Sequence, residues 1–198
     1  VKKRCIPQRQ GTIKTLRCHC ENPVQITWIL ANFVYGCFLE AAILYFFSPI
    51  KGFGMPYDPL LVKPMREELT RVGFQEMLTP EAVDSALTQQ GTTFVVVNSV
   101  CGCAAGGARP AAALALKNES LPDRIVTVFA GQDTEAVQHL RSKYLQGIPP
   151  SSPSMALFQD GQPVAVIHRH HIEGRMPETI AEALKGMFDE FCAKEAVA

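Results

Sequence analysis

The stretch NSVCGCAAGGARP, Asn98 to Pro110, sets two thiols one residue apart between an apolar run of strand character and an Ala-rich run of helix character. Phe94 to Val97 are aromatic and β-branched, as a buried strand requires, whereas Ala104 to Lys117 is rich in strong helix formers. The pattern predicts a strand, a short turn and a helix, with Cys101 at or beside the helix N-terminus. Unpaired backbone N–H groups and the positive end of the helix dipole favour a thiolate there, bringing a thiol below its free pKa of about 8.5. Cys101 is therefore expected to be a reactive thiol.

The spacing narrows the chemistry. With only Gly102 between them, Cys101 and Cys103 can close a disulfide only through a very small ring, which departs from relaxed geometry and reduces easily. Such a pair exchanges rather than staples. Gly102 suits a tight ring, having no Cβ to clash at positive φ. Position alone assigns Cys101 as attacking thiol and Cys103, one residue inside the helix, as resolving thiol. Two other readings stay open: a pair of small buried apolar residues, and half of a zinc or iron–sulfur site, for which the domain offers only Cys192 as a further thiolate. A sensor whose pair merely reports oxidation is a third.

Composition bounds the answer. The chain has 198 residues, 19 Lys and Arg against 19 Asp and Glu, and a 47% apolar fraction, enough for one domain and an appendage. Balanced charge, with no basic stripe interleaved with aromatics, argues against nucleic acid as a partner. Seven cysteines, an odd number scattered along the chain, do not make a secreted disulfide framework. They fit a reducing compartment, where a close dithiol is catalytic or metal-binding more often than structural.

The first 54 residues differ from the rest. Val1 to Arg17 carries six Lys or Arg and no acid, and Ile26 to Phe47 is an apolar run long enough to cross a bilayer. Asn32 and Glu40 lie inside that run, a mid-membrane Glu is costly, and the chain begins with Val. The positive-inside rule would also carry a labile dithiol to the oxidising side. The expectation is residues 1–54 as a basic, hydrophobic extension that is a translated upstream region or otherwise dispensable, in preference to a membrane anchor or a signal-type segment, and residues 55–198 as the domain. Cys18-His19-Cys20 has metal-like spacing but falls in the extension.

Within the domain, Pro64 to Val72 reads as a helix opened by proline, and Thr79 to Gln90 as a helix with Thr79 as N-cap and Pro80 at its first position. Strand Thr93 to Asn98, the dithiol and a helix to Lys117 follow, the last kinked at Pro110. Ile125 to Phe129 is a strand, and Asp133 caps a helix to about Leu145. After a polar loop, Met155 to Gln159 and Pro163 to Ile167 form a hairpin turned at Asp160-Gly161. A helix from Pro177 carries Ile180, Ala183, Leu184, Met187, Phe188 and Phe191 at helical spacing. The order is βαβα, hairpin, α. His168, His170 and His171 read as a solvated strand end, where neighbours point to opposite faces and are poorly placed for one ion, with substrate contact and metal binding as the alternatives. Arg109 is either a surface residue or a partner for a thiolate or a small thiol's carboxylates.

A helix-start dithiol in that element order looks like the thioredoxin fold. NSVCGCAAGGARP, PMREELTRVGF from Pro64, PPSSPS from Pro149 and HHIEGR at His170 to Arg175 together resemble the bacilliredoxin family, from about Met55 to Cys192. Met55-Pro-Tyr-Asp resembles the usual start of its members. The resemblance implies a three-layer α/β thioredoxin-like fold with a mixed central sheet, acting in the cytoplasm. It implies a thiol–disulfide oxidoreductase that removes bacillithiol, or a similar small thiol, from S-thiolated client proteins, with possible disulfide isomerase activity and possible homodimers. No bound cofactor is implied, the small thiol being a cosubstrate. Cys101 is the implied acceptor and Cys103 its partner, with Gly102, Arg109, Ser152 and Pro153 as candidate substrate contacts. Pro153 occupies the place of the cis-proline of thioredoxin-like proteins, so the Ser152–Pro153 bond is expected to be cis. One departure is plain: Thr92 to Val100 holds no acid to serve as the buried proton acceptor of thioredoxins, which leaves the helix terminus and solvent for proton removal.

Overall fold

The structure, a computed structural model, describes residues 56–193. Its centre is strand β2 (Thr92–Asn98), in which all seven residues are buried. It pairs in parallel with β3 (Arg124–Phe129) and antiparallel with β4 (Ser154–Gln159), which pairs antiparallel with β5 (Gln162–Ile167). A two-residue strand β1 (Gln75–Glu76) runs parallel to β3 at the far edge, giving the order β1-β3-β2-β4-β5. Two residues are too few to show a period, which is why the sequence pattern missed β1.

Alternation along β2 builds two cores. Phe94 and Val96 face one side, packing with Leu69 of α1 (Pro59–Thr70), the alanines of α3 (Arg109–Ala115), and Leu184 and Phe188 of α6 (Pro177–Phe191). Val95 and Val97 face the other, with Val83 and Leu87 of α2 (Pro80–Leu87) and Val137 of α4 (Thr134–His139). Period-two side chains thus make a mixed sheet the middle of three layers. The Phe94 and Phe188 rings meet edge to face at 5.1 Å, and burying each ring contributes about 1.5–3 kcal/mol.

Several boundaries move from the sequence reading. Helix α1 begins five residues earlier, because the Asp58 carboxylate accepts from Leu60 N at 2.9 Å and Pro59 fits the first position, leaving Pro64 inside the helix. Thr79 caps α2 as expected, accepting from Ala82 N at 3.2 Å. Asp133 does not cap α4 with its side chain. Its carboxylate instead accepts from Phe129 N at 2.9 Å and pairs with Arg66. In α6 the buried face carries Ala181 rather than Ala183. The hairpin turn is the expected one: Asp160 and Gly161 both have positive φ, 51° and 78°, as a two-residue turn matching strand twist requires. A Cβ on Gly161 would lie 2.7 Å from Leu87 O.

The helix after the dithiol opens as a π-helical turn (Ala104–Ala108) and becomes α-helical at Arg109. Pro110 has no N–H to donate, and the widened turn ahead of it takes up the break in the ladder. Gly107 lets this turn approach α6: a Cβ there would come within 3.1 Å of Ile172 Cγ2 and 3.4 Å of Ile180 Cδ1. Among the described residues no helix is long and apolar enough to cross a membrane. The run 26–47, the boundary drawn at residues 54 and 55, and Cys5, Cys18, Cys20 and Cys37 lie outside the described residues.

Candidate functional site

Where β2 ends, the chain is held by side chains rather than by the sheet. Asn98 is buried, donates from Nδ2 to Met65 O of α1 at 3.1 Å, and accepts at Oδ1 from Ser99 N at 2.8 Å. Arg109, one turn after the dithiol, points back under it. Its Nη1 donates to Asn98 Oδ1 at 3.2 Å and to Ser99 O at 3.1 Å, and its Nε and Nη2 form a fork on the Glu68 carboxylate. Only 3% of Arg109 is exposed. The reading of Arg109 as a surface residue is therefore corrected: its donors are taken by Glu68, Asn98 and Ser99 and brace the strand end.

That brace places Ser99 Oγ 3.1 Å from Cys101 Sγ. Both thiols are free and partly exposed. Backbone N–H groups of Ala104 and Ala105 reach Cys101 O at 3.0 and 3.2 Å, so Cys101 sits immediately before the first turn, as its helix-start position predicts. Partial burial works against a thiolate at Cys101. Hydrogen bonds from Cys103, Ser99 and the Ala104 backbone, with the charge of Arg169, outweigh burial and hold this thiol below its ordinary value. Cys103 goes the other way, raised by burial, then by its bond to Cys101 and by the charge on Cys101. The two thiols are thus electrostatically unlike. Gly102 between the two free thiols has no positive φ, and nothing stands within 4 Å of where its Cβ would be. In the dithiol state the glycine leaves the approach to the sulfurs open.

The Ser152–Pro153 peptide is cis, as expected. Pro153 immediately precedes Ser154, whose backbone partner in β2 is Val97, so this loop and the dithiol share one end of the sheet. Ser151 ties the loop to the next element: its Oγ accepts from Arg169 N at 3.3 Å and lies 3.4 Å from His168 Nδ1. That element is a helical turn, α5 (Arg169–Ile172), where the sequence reading expected an extended strand end. The His168 and His171 side chains exchange caps with each other's backbone N–H, closing the turn. The three imidazoles therefore cluster, His170 and His171 with ring centroids 3.9 Å apart. Burial, with His170, His168 and Arg175 nearby, holds His171 below the usual imidazole value.

Among the described residues no group of three His, Cys, Asp or Glu converges in a way that could hold a metal ion. Cys192 is buried beside Thr92, at the start of β2. A seven-residue strand spans about 20 Å, which puts this third thiolate at the opposite end of the sheet from the dithiol.

Sequence reasoning missed Ser99, Asn98, Glu68 and the charge of Arg169. Ser99 lay inside the quoted stretch and Arg169 beside HHIEGR, but a loop serine and a solvated arginine carry no periodic signal. Their roles appear only when Arg109 folds back and α5 turns.

A mixed five-stranded sheet, a free dithiol opening the helix after its central strand, and a cis-proline opening the antiparallel neighbour together define a thioredoxin-like thiol–disulfide redox protein. Residues 57–192 match the family described as disulphide isomerase. A bacilliredoxin of Salinibacter ruber is 54% identical over 144 residues, covering 72% of this chain and 84% of that protein. A bacilliredoxin of Geobacillus kaustophilus is 51% identical over 140 residues, covering 71% and 96%. The chain belongs to the bacilliredoxin family. Of solved structures, the oxidised thioredoxin of Plasmodium falciparum is similar at 15% identity and a TM-score of 0.41, over 61% of this chain and all of that one.

Proposed function

We propose that this chain removes bacillithiol, or a similar low-molecular-weight thiol, from mixed disulfides on client proteins. The observation that carries the proposal is the setting of Cys101: it stands free immediately before the first helical turn with Ser99 Oγ 3.1 Å from its sulfur, and it is held toward thiolate while Cys103 is held toward thiol. The Cys101 thiolate attacks the small thiol's sulfur; the new S–S bond forms as the old one breaks, and the electron pair leaves on the client sulfur, which takes a proton from solvent. A second small thiol then attacks the adduct and leaves as its own disulfide, restoring Cys101. Alternatively Cys103 gives up its proton and attacks Cys101 Sγ, releasing the small thiol, and the resulting disulfide is reduced by an external thiol.

Two features support the remaining roles. Gly102 leaves the sulfurs approachable, and the loop at Ser152 and Pro153 lies at the dithiol end of the sheet, where a substrate's main chain would be received. Arg109 positions Ser99 rather than contacting substrate. We place the reaction in the cytoplasm, a reducing compartment where an exposed dithiol stays reduced. No bound cofactor enters either route, nucleic acid is no partner, and disulfide isomerisation would use the same attack on a client disulfide.

The test is mass spectrometry of a bacillithiol-modified protein incubated with the full chain and free thiol. Loss of the adduct mass, faster than with thiol alone, supports the proposal; an unchanged adduct overturns it.

A further inference from the structure

The turn α5 is closed by imidazoles where the chain passes the dithiol end of the sheet. His171 Nδ1 accepts from His168 N at 3.2 Å, and the His168 ring accepts from His171 N, so each cap uses a ring nitrogen as acceptor. An imidazole keeps an acceptor nitrogen only while it is neutral; the imidazolium has two donors and no lone pair to offer. Protonation therefore removes both caps. The rings are open to protons, His170 and His171 being exposed and His168 half-buried.

The surroundings add like charge. The three ring centroids lie 3.9, 5.5 and 6.0 Å apart, with Arg169 and Arg175 on the same segment and Arg141 bordering His168 across the loop. Glu173, the acid of this segment, is taken by Arg169 at 3.2 Å. From α6 His171 meets Thr179, Ile180 and Ala183, and from β5 Ile167, none of which titrates. From the cis-proline loop His168 meets Ser151. Burial first, then His170, His168 and Arg175, keeps His171 below the usual imidazole value, the direction that a neutral cap requires. The same turn is joined to the dithiol at both ends. Arg169, at its start, holds Cys101 toward thiolate by its charge. Ile172, at its end, is buried against the π-helical turn, 3.1 Å from where a Cβ on Gly107 would stand. Ile172 thus anchors one end of α5 and the caps fasten the other.

We infer that α5 is a pH-sensitive clasp on the dithiol: with His168 and His171 neutral it holds the Arg169 charge near Cys101, and their protonation opens the capped end and withdraws that charge. Ile172 stays packed and serves as the pivot. Loss of one cap shifts the balance toward the open turn by about three- to thirtyfold, and repulsion among imidazolium and guanidinium groups acts in the same direction. The closed turn binds protons less readily than the open one, so closure strengthens as pH rises and is lost as pH falls through the imidazole range. Cys101 then loses reactivity in acid beyond what its own protonation gives. The inference concerns Cys101 itself and does not depend on which disulfide it attacks.

The experiment follows the reduced full chain between about pH 7.5 and about pH 5.5, which spans the imidazole range. It reads amide exchange at His168 and His171 by NMR and the rate of Cys101 alkylation by iodoacetamide, located by peptide mass spectrometry. Wild type is compared with the His168→Asn/His171→Asn chain, because an Asn side-chain oxygen caps a helix start without titrating. Amide protection relative to the unfolded chain at the same pH is expected to fall about threefold or more in wild type and to hold in the Asn chain. At the acid end the Asn chain should alkylate at Cys101 about twofold faster or more than wild type, and at the neutral end at the same rate. Arg169→Gln in both backgrounds should abolish that difference. Protection that does not change with pH in wild type, or that falls equally in the Asn chain, overturns the inference. A rate difference that persists in the Arg169→Gln chains overturns the link to Cys101. The amide readout on wild type needs no variant, and His171→Asn alone takes the place of a double variant that does not fold.

Discussion

Ser99 Oγ lies 3.1 Å from Cys101 Sγ, and Ser99 is itself fixed through Asn98 and Arg109. The hydroxyl can donate to a thiolate, whereas a thiol gains less from it. Ser99→Ala is therefore expected to slow Cys101 alkylation by iodoacetamide at pH 7 about three- to tenfold, the worth of one hydrogen bond of roughly 0.5–1.5 kcal/mol. Its pH midpoint should move up. An unchanged profile would remove Ser99 from the site's chemistry.

The pH dependence of stability follows from the same thiol. The Cys101 thiol is held below its ordinary value in the folded chain, so between the folded and unfolded values the unfolded state binds more protons. Stability from this group rises with pH through that window, is complete above the unfolded value, and is lost as pH falls through the folded one. Urea titrations of the reduced full chain and Cys101→Ser should diverge progressively between neutral pH and about pH 9, wild type gaining. Parallel curves would contradict the assignment.

Arg169 acts on the dithiol through charge, and Glu173 competes for it at 3.2 Å. Arg169→Gln should raise the Cys101 titration midpoint and Glu173→Gln should lower it. Both side chains are exposed, so both effects should shrink in high salt. A response insensitive to salt would show that the residues act through structure instead.

Arg109→Met keeps the side chain's length but leaves Asn98 Oδ1 and Ser99 O without this donor. The loss should be about 1–3 kcal/mol in urea unfolding. Slower Cys101 alkylation should accompany it, because Ser99 is no longer braced. Glu68, with its side chain 46% exposed, can return its carboxylate to water and limits the cost. Full retention of both stability and reactivity would show that the brace is not needed.

What was legible in the sequence follows from period and chemistry. The run Phe94 to Val97, the Asp160-Gly161 turn and the helix from Pro177 are local patterns, and each formed where local physics puts it. The helix-start position of Cys101 came from the same source. Arg109 and α5 were not legible for the opposite reason. Arg109 is buried only because Glu68, 41 residues earlier, meets it across the fold. The helical turn at Arg169–Ile172 is closed by His168 and His171 capping each other and by Ser151 from the preceding loop, contacts that no propensity scale contains.

The central claim is that Cys101 attacks and Cys103 resolves. The most direct measurement incubates Cys103→Ser full chain with a bacillithiol-modified protein, without added thiol, and locates the adduct by peptide mass spectrometry. The account predicts the small-thiol mass on Cys101, and no transfer to the Cys101→Ser chain. Adduct on Cys103 in the Cys101→Ser chain, with none on Cys101 in the other, would contradict it.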